Sequence, residues 1–183
     1  MNSSLPESAI VKQLQDPEER KRIFEQLVNN QQQPVYYFVR KMVLDHEDTH
    51  DICQEVFIKV WKGLNSFRGE SKLSTWLFRI AHNETITFIN KKKRLAGVPL
   101  ELVEHELGTA LQSDELFTGD EIQKRLQVAI ATLPTKQKAV FLMRYYDETP
   151  YEEMAEITGT SVGALKASYH HAVKKVENIL TQG

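Results

Sequence analysis

The sequence predicts an all-α protein: two small helical domains joined by an acidic linker, the second a helix-turn-helix domain. Three observations lead there. Apolar residues recur at spacings of three and four through the segments around residues 35–92 and 134–180. A capped helix start, "TPYEEMAEITG", runs through a short glycine-containing turn into a second amphipathic stretch. Between the two helical segments the charge inverts. Residues 71–95 hold Lys72, Arg79, Lys91, Lys92, Lys93 and Arg94 against Glu84 alone, a net of about +5. Residues 96–126 hold Glu101, Glu104, Glu106, Asp114, Glu115, Asp120 and Glu121 against Lys124 and Arg125, a net of about −5, with four glycine or proline residues and no sustained period. The expected division is therefore a domain over 1–95, a flexible acidic linker over 96–120 and a second domain over 121–183.

Taken in chain order, residues 1 to about 33 predict one amphipathic helix ending near "NNQQQP". "PVYYFVRKMVL" places Val35, Phe38, Val39, Met42 and Val43 at helical spacing. Asp45, with Asp48 three residues on, predicts the N-cap of the next helix. That helix carries an apolar stripe of Ile52, Cys53, Val56, Phe57 and Val60, leaving Asp51, Gln54, Glu55, Ile58, Lys59 and Lys62 on the opposite side. After the loop "NSFRGESKL", Ser74 to about Lys92 predicts a third helix whose core side is Leu77, Ile80, Ala81, Ile86 and Ile89.

In the second domain Pro134 marks a helix start before Val140, Phe141 and Met143, the expected core positions. Thr149 is expected as the next N-cap, with Pro150 at the first helical position and Glu152 completing a capping box. Gly159 suits a left-handed stop, and Ser161 caps the last helix. There Val162, Leu165, Tyr169, Val173, Val176 and Leu180 form the core stripe. Lys166, His170 and Lys174, four apart, line a second stripe, flanked by Ala167, His171 and Lys175.

Composition restricts the function classes. The chain is 41% apolar and 26% charged, an ordinary balance for a folded domain, so whole-chain disorder is not expected. No run is long and apolar enough for a membrane span, and the start "MNSSLPESAI" lacks signal-peptide character. With Cys53 as the single cysteine, no internal disulfide forms, and a cytoplasmic location is expected. No Gly-rich phosphate loop, nucleophile elbow or paired-carboxylate motif is present, so neither catalysis nor a cofactor is expected.

Two surfaces point to nucleic acid. The segment "FRGESKLSTWLFRIAHNETITFINKKKR" mixes aromatic rings, an amide and cations, the groups that unstacked bases and phosphates require. The last helix has no carboxylate from Ser161 to Val176, as a surface meeting phosphates and base edges in the major groove requires.

"DICQEVFIKVWKGLNSFRGESKLSTWLFRIAHN" with its basic continuation, followed by "LPTKQKAVFLMRYYDETPYEEMAEITGTSVGALKASYHHAVKKV", resembles the extracytoplasmic-function (ECF) sigma factors of bacterial RNA polymerase over both domains. The resemblance implies that Asp51, Gln54, Glu55 and Lys59 contact the clamp coiled coil of the core polymerase. It implies that the loop "SFRGESKL" and the following helix capture a flipped base of the minus-ten element, with Asn83 at the base-reading position. Arg68, Lys72, Trp76, Arg79, Lys91, Lys92, Lys93 and Arg94 accompany Asn83 in minus-ten binding. For the minus-thirty-five element it points to Ser161, Lys166, Ala167, His170, His171 and Lys174. Many family members carry Arg at the positions of Lys166, Ser168 and His171, so fewer bidentate guanidinium contacts are available here. The implied partners are core RNA polymerase, promoter DNA and an anti-sigma factor, with no membrane insertion and no stable homo-oligomer.

Other readings stay open on the residues alone. Trp76 also suits a core position. A helix-turn-helix regulator that does not bind polymerase explains the second domain, but it usually dimerises on spaced half-sites, and no dimerisation helix is evident. His46, His50 and Cys53, spaced by four and three, fit one helix face as metal ligands, though no fourth ligand is specified.

Overall fold

The computed structural model describes residues 6–96 and 121–181, all of whose regular structure is helical. The first half comprises α1 (Glu7–Gln13), α2 (Pro17–Val43), α3 (His46–Gly63) and α4 (Leu73–Ala96), with a 3-10 turn at Leu64–Ser66. The second comprises α5 (Glu121–Ala131), α6 (Thr135–Tyr145), α7 (Tyr151–Thr158) and α8 (Val162–Thr181). The linker expected over 96–120 lies almost wholly outside the described residues.

The helix ends show why the chain divides as it does. Asp16 caps α2 by accepting from the Glu18 and Glu19 amides at 2.9 and 3.1 Å, with Pro17 in the first turn. Asp45 caps α3 by accepting from the Asp48 amide at 2.8 Å, as the spacing predicted. The Ser161 hydroxyl accepts from the Ala164 amide at 3.3 Å, and Gly159 stops α7 with φ 67°.

Two boundaries differ from the sequence reading. The expected break at "NNQQQP" is absent: α2 runs 27 residues straight through Pro34. Proline removes one amide from the ladder, but Pro34 and Asn30, whose carbonyl loses that donor, are both exposed, and water can satisfy it. At α7 the cap is Pro150, not Thr149, and no side-chain capping bond forms. Thr149 is held elsewhere: its amide donates to the Met143 carbonyl at 3.0 Å, and its carbonyl accepts from Arg144 at 3.2 Å.

In the first half α2, α3 and α4 pack on one another, with Val35, Phe38, Val39, Ile52, Val56, Val60, Leu64, Leu77 and Ala81 buried between them. Cys53 and Phe57 are only half-buried at the edge of the stripe. On α4 the fully buried positions include Thr85, whereas Ile80, Ile86 and Ile89 are partly exposed. Thr85 tolerates burial because its hydroxyl donates to the Ala81 carbonyl at 2.7 Å. In the second half α8 packs across α5, α6 and α7, burying Leu165, Ala172 and Val176.

The two halves are not independent bodies. α7 lies along α4 and α6 along the end of α2, and the buried residues of both halves join in one cluster. Polar contacts tie the seam: Lys41 Nζ lies 3.1 Å from Asp147 Oδ1 and 4.8 Å from the centre of the Tyr146 ring. The Thr75 hydroxyl donates to Glu153 at 3.1 Å, and Lys93 Nζ donates to the Thr135 hydroxyl at 2.8 Å.

Candidate nucleic-acid interface

The exposed surface of α3 is polar apart from Ile58 and Trp61. Asp51, Gln54, Glu55, Lys59 and Lys62 are all exposed, and Ile58 sits among them 38% exposed. Lys59 reaches across to α4, with its Nζ 2.7 Å from Glu84 Oε1.

From α3 the chain turns through Phe67, buried at 5%, into the loop of Arg68 to Lys72. Gly69 sits at φ +72°, where a side chain is strained, and a Cβ there would approach Val11 Cγ2 of α1 to 3.0 Å. The N-terminal helix thus backs the loop, and Arg68 and Lys72 project from it exposed. We expect Gly69→Ala to destabilise the protein by about 1–2 kcal/mol, seen as a lowered Tm, because it adds both backbone strain and a steric clash.

Along α4, Lys72, Trp76, Arg79 and Asn83 follow at spacings of four, three and four, which places them on one face. Their environments differ. Asn83 is exposed. Trp76 is half-buried, its ring 5.5 Å from that of Phe67 and in contact range of Gly63, where a Cβ would come within 3.1 Å of it. Trp76 therefore supports the loop from beneath as a packing residue, with part of its surface still accessible. Arg79 is engaged by the other half of the molecule: its Nε donates to the Glu156 carbonyl at 2.7 Å, in the last turn of α7.

The basic end of α4 is exposed from Lys91 to Arg94. Lys92 is paired with Asp48 and Lys93 with Thr135, while Lys91 and Arg94 project from the same turns.

On α8 the predicted stripe is outward. Ser161, Lys166, Ala167, His170, His171 and Lys174 are all exposed, and Lys166 Nζ lies 5.6 Å from the centre of the Tyr151 ring. Lys175, in the same cluster by sequence, serves the fold: its Nζ donates to the Thr132 carbonyl at 2.7 Å, beyond the end of α5.

The residues weighed as metal ligands are occupied otherwise. His46 Nδ1 is 2.8 Å from the Tyr36 hydroxyl, and the His50 ring packs tilted against the Tyr36 ring, centres 5.4 Å apart. Burial pushes the Cys53 thiol up to about 11, unfavourable for a thiolate ligand. Among the described residues no cluster of His, Cys, Asp and Glu is arranged to hold a metal ion, and no helix is long and apolar enough to cross a membrane.

The most consequential residue that sequence reasoning missed is Lys138. It lies on α6 among core positions, 6% exposed, and its Nζ donates to the Met42 carbonyl at the C-terminal end of α2 at 3.0 Å. Burial, and secondarily Lys93 nearby, lowers its pKa from 10.5 to about 8. No pattern in one sequence signals a lysine buried against a helix from another domain.

Comparison with known proteins agrees with this arrangement. Residues 27–95 match the Sigma-70 region 2 family and residues 123–176 match Sigma-70 region 4. The chain is 30% identical to the ECF RNA polymerase sigma factor SigW of Bacillus subtilis, over 80% of this chain and 83% of that one. It is 28% identical to the ECF RNA polymerase sigma-E factor of Escherichia coli K12, over 97% and 96% of the two chains. Among solved structures, the sigma factor RpoE in complex with the anti-sigma factor NepR from Bartonella quintana superposes with a TM-score of 0.68 at 21% identity, covering 87% of this chain and 98% of that one. CnrH in complex with the cytosolic domain of CnrY gives 0.67 at 20%, covering 97% of each chain. Sequence kinship across both halves and a shared all-helical fold together establish that this chain belongs to the ECF RNA polymerase sigma factors.

Proposed function

We propose that this ECF sigma factor divides its work between residues 1–95, which hold core polymerase and the minus-ten element, and residues 121–183, which hold the minus-thirty-five element, with 96–120 as the tether. Asp51, Gln54, Glu55 and Lys59 form the polymerase-binding face of α3. Arg68, Lys72 and Asn83 receive an extruded base of the non-template strand, with Trp76 beneath them. Arg79, Lys91, Lys92, Lys93 and Arg94 neutralise the adjoining phosphates. Ser161, Lys166, Ala167, His170, His171 and Lys174 meet the duplex upstream.

The observation that carries this reading is the coexistence in one chain of two separate, outward basic surfaces of different kinds. One is a loop-and-helix surface with an amide and a ring for an unstacked base. The other is a helix stripe shaped for a groove. A regulator without polymerase contact accounts only for the second.

No bond is made or broken by such a protein. Holding an extruded base and its phosphates offsets unstacking, which costs a few kcal/mol per base, so promoter opening needs binding energy and no catalytic group. The chain acts in the cytoplasm, where core polymerase and DNA are found. An anti-sigma protein is its expected antagonist, a reading supported by the complexes in which the two solved relatives of the same fold occur.

The division of labour is tested with core polymerase and a promoter that the holoenzyme selects from random DNA. Asn83→Ala lowers open-complex formation on duplex promoter tenfold or more, and the loss persists on a template lacking the upstream element. Lys166→Ala weakens binding only where the upstream element is present, and reduces the salt dependence of that binding. Equal effects of both substitutions on both templates contradict the assignment.

A further inference from the structure

We propose that the N-terminal helix α1 is a working part of the minus-ten surface: Val11 seats the base-capture loop through Gly69, and that seat sets how well the loop discriminates the extruded base. The proposal rests on the assignment of Arg68, Lys72 and Asn83 to that base.

The loop has little of its own to hold a shape. Its ends are fixed, with Phe67 and Leu73 buried, the Phe67 amide donating to the Leu64 carbonyl at 3.3 Å and the Lys72 carbonyl accepting from the Trp76 amide at 3.0 Å. Between them, residues 68–71 make no backbone-to-backbone hydrogen bond with any described residue. A segment without such bonds takes its conformation from what it packs on.

What it packs on is α1. Gly69 lies at φ +72°, and the atoms nearest to the place of a Cβ there are Val11 Cγ2 at 3.0 Å and the Cβ and carbonyl oxygen of Glu7, both at 3.5 Å. The support is itself seated: Leu14, at the C-cap of α1, is buried, Ile10 and Val11 pack against the core, and Asp16 caps α2 two residues further on. Glu7 Oε2 is buried with no hydrogen-bond partner among the described residues. A carboxylate oxygen stripped of water and of donors costs stability, so this joint is not arranged for stability alone.

Arg68 and Lys72 flank the glycine and are exposed, so the pose of both cations relative to Asn83 follows from where Val11 stops the Gly69 backbone. A loop displaced by a fraction of an ångström keeps its charges but loses directed hydrogen bonds. Attraction to phosphates therefore survives such a shift, whereas discrimination between bases does not. Val11 is a positioning residue, acting through Gly69 on the residues assigned to the base.

The test uses holoenzyme assembled from core polymerase and the full chain. The probes are four single-stranded DNAs carrying a minus-ten sequence selected by that holoenzyme, differing only at the base whose replacement costs the parent most affinity. Val11→Ala opens space beneath Gly69 and is expected to cut the preference for the best base roughly three- to tenfold, with the salt dependence of binding unchanged. Val11→Ile keeps Cγ2 and should retain the parent preference. Ile10→Ala removes core-packing atoms from the same helix without touching the atoms nearest Gly69; it should lower the Tm about as much as Val11→Ala yet leave the preference within about twofold of the parent.

An unchanged preference in Val11→Ala overturns the proposal, because the loop then holds its shape without α1. An equal loss in Ile10→Ala also overturns it, because α1 then only stabilises the fold. Failure of the underlying assignment looks different: a parent that prefers no base, or an Asn83→Ala holoenzyme with the parent's preference intact, shows that the minus-ten reading itself is wrong, and the proposal falls with it.

Discussion

Leu165→Ala should cost about 2–4 kcal/mol of stability and abolish activity that depends on the upstream promoter element. Leu165 is 1% exposed and lies where α8 packs on α6 and α7, so truncation leaves a cavity as well as losing buried apolar surface. The loss falls where α8 is seated, so the substitution lowers the Tm and loosens α8 on its neighbours. Lys166, His170 and Lys174 would stay in the chain but lose the rigid helix that aims them. The check is a thermal melt followed by transcription from templates with and without the upstream element. A normal melt accompanied by normal upstream-dependent transcription would show that Leu165 does not fix the recognition helix.

The second large effect is a pH dependence of domain closure carried by Lys138. In the closed chain its pKa is about 8; in an open chain, with the amine in water, it returns toward 10.5. The closed state therefore binds fewer protons between those values, and closing becomes more favourable as pH rises through that window. By about pH 9.5 the gain relative to neutral pH is roughly 2 kcal/mol, and below pH 8 the dependence flattens because both states are protonated. The groups facing this amine are Lys93 from α4, which deepens the shift, and the Met42 carbonyl from α2, which accepts its hydrogen bond.

Tyr146, whose pKa burial raises, lies at the same seam and opposes the trend once it ionises, so measurements should stay below about pH 9.5. The two halves of the wild type should hold together more tightly as pH rises from 8, seen by small-angle scattering as a smaller radius of gyration, and Lys138→Met should remove that slope. A slope unchanged in Lys138→Met would assign it to another group.

Much of this was legible in the sequence for a simple reason: local signals were strong where local physics decides. Asp45, Gly159 and Ser161 act on amides or dihedrals within a few residues, and each does what its position implies. The outward stripe of α8 follows from helical period once Leu165 and Val176 are placed inside. Pro34 misled because a proline's cost depends on whether the freed carbonyl meets solvent, which periodicity does not report. Thr149 misled because its amide found a partner at Met143, in the preceding helix. Thr85 was passed over because an apolar pattern does not count a hydroxyl that satisfies itself. Lys138, Arg79 and Lys41 lay beyond any sequence reading, since their partners are in the other half of the chain, about 77 to 106 residues away in sequence.

The most direct test of the account is to add the purified protein to sigma-free bacterial core polymerase with fragmented genomic DNA and map the 5′ ends of the transcripts. We predict new start sites that share two spaced upstream elements, with Asn83→Ala weakening use of the proximal one and Lys166→Ala the distal one. Absence of core binding and of new starts would contradict the account and leave only a helix-turn-helix DNA-binding protein.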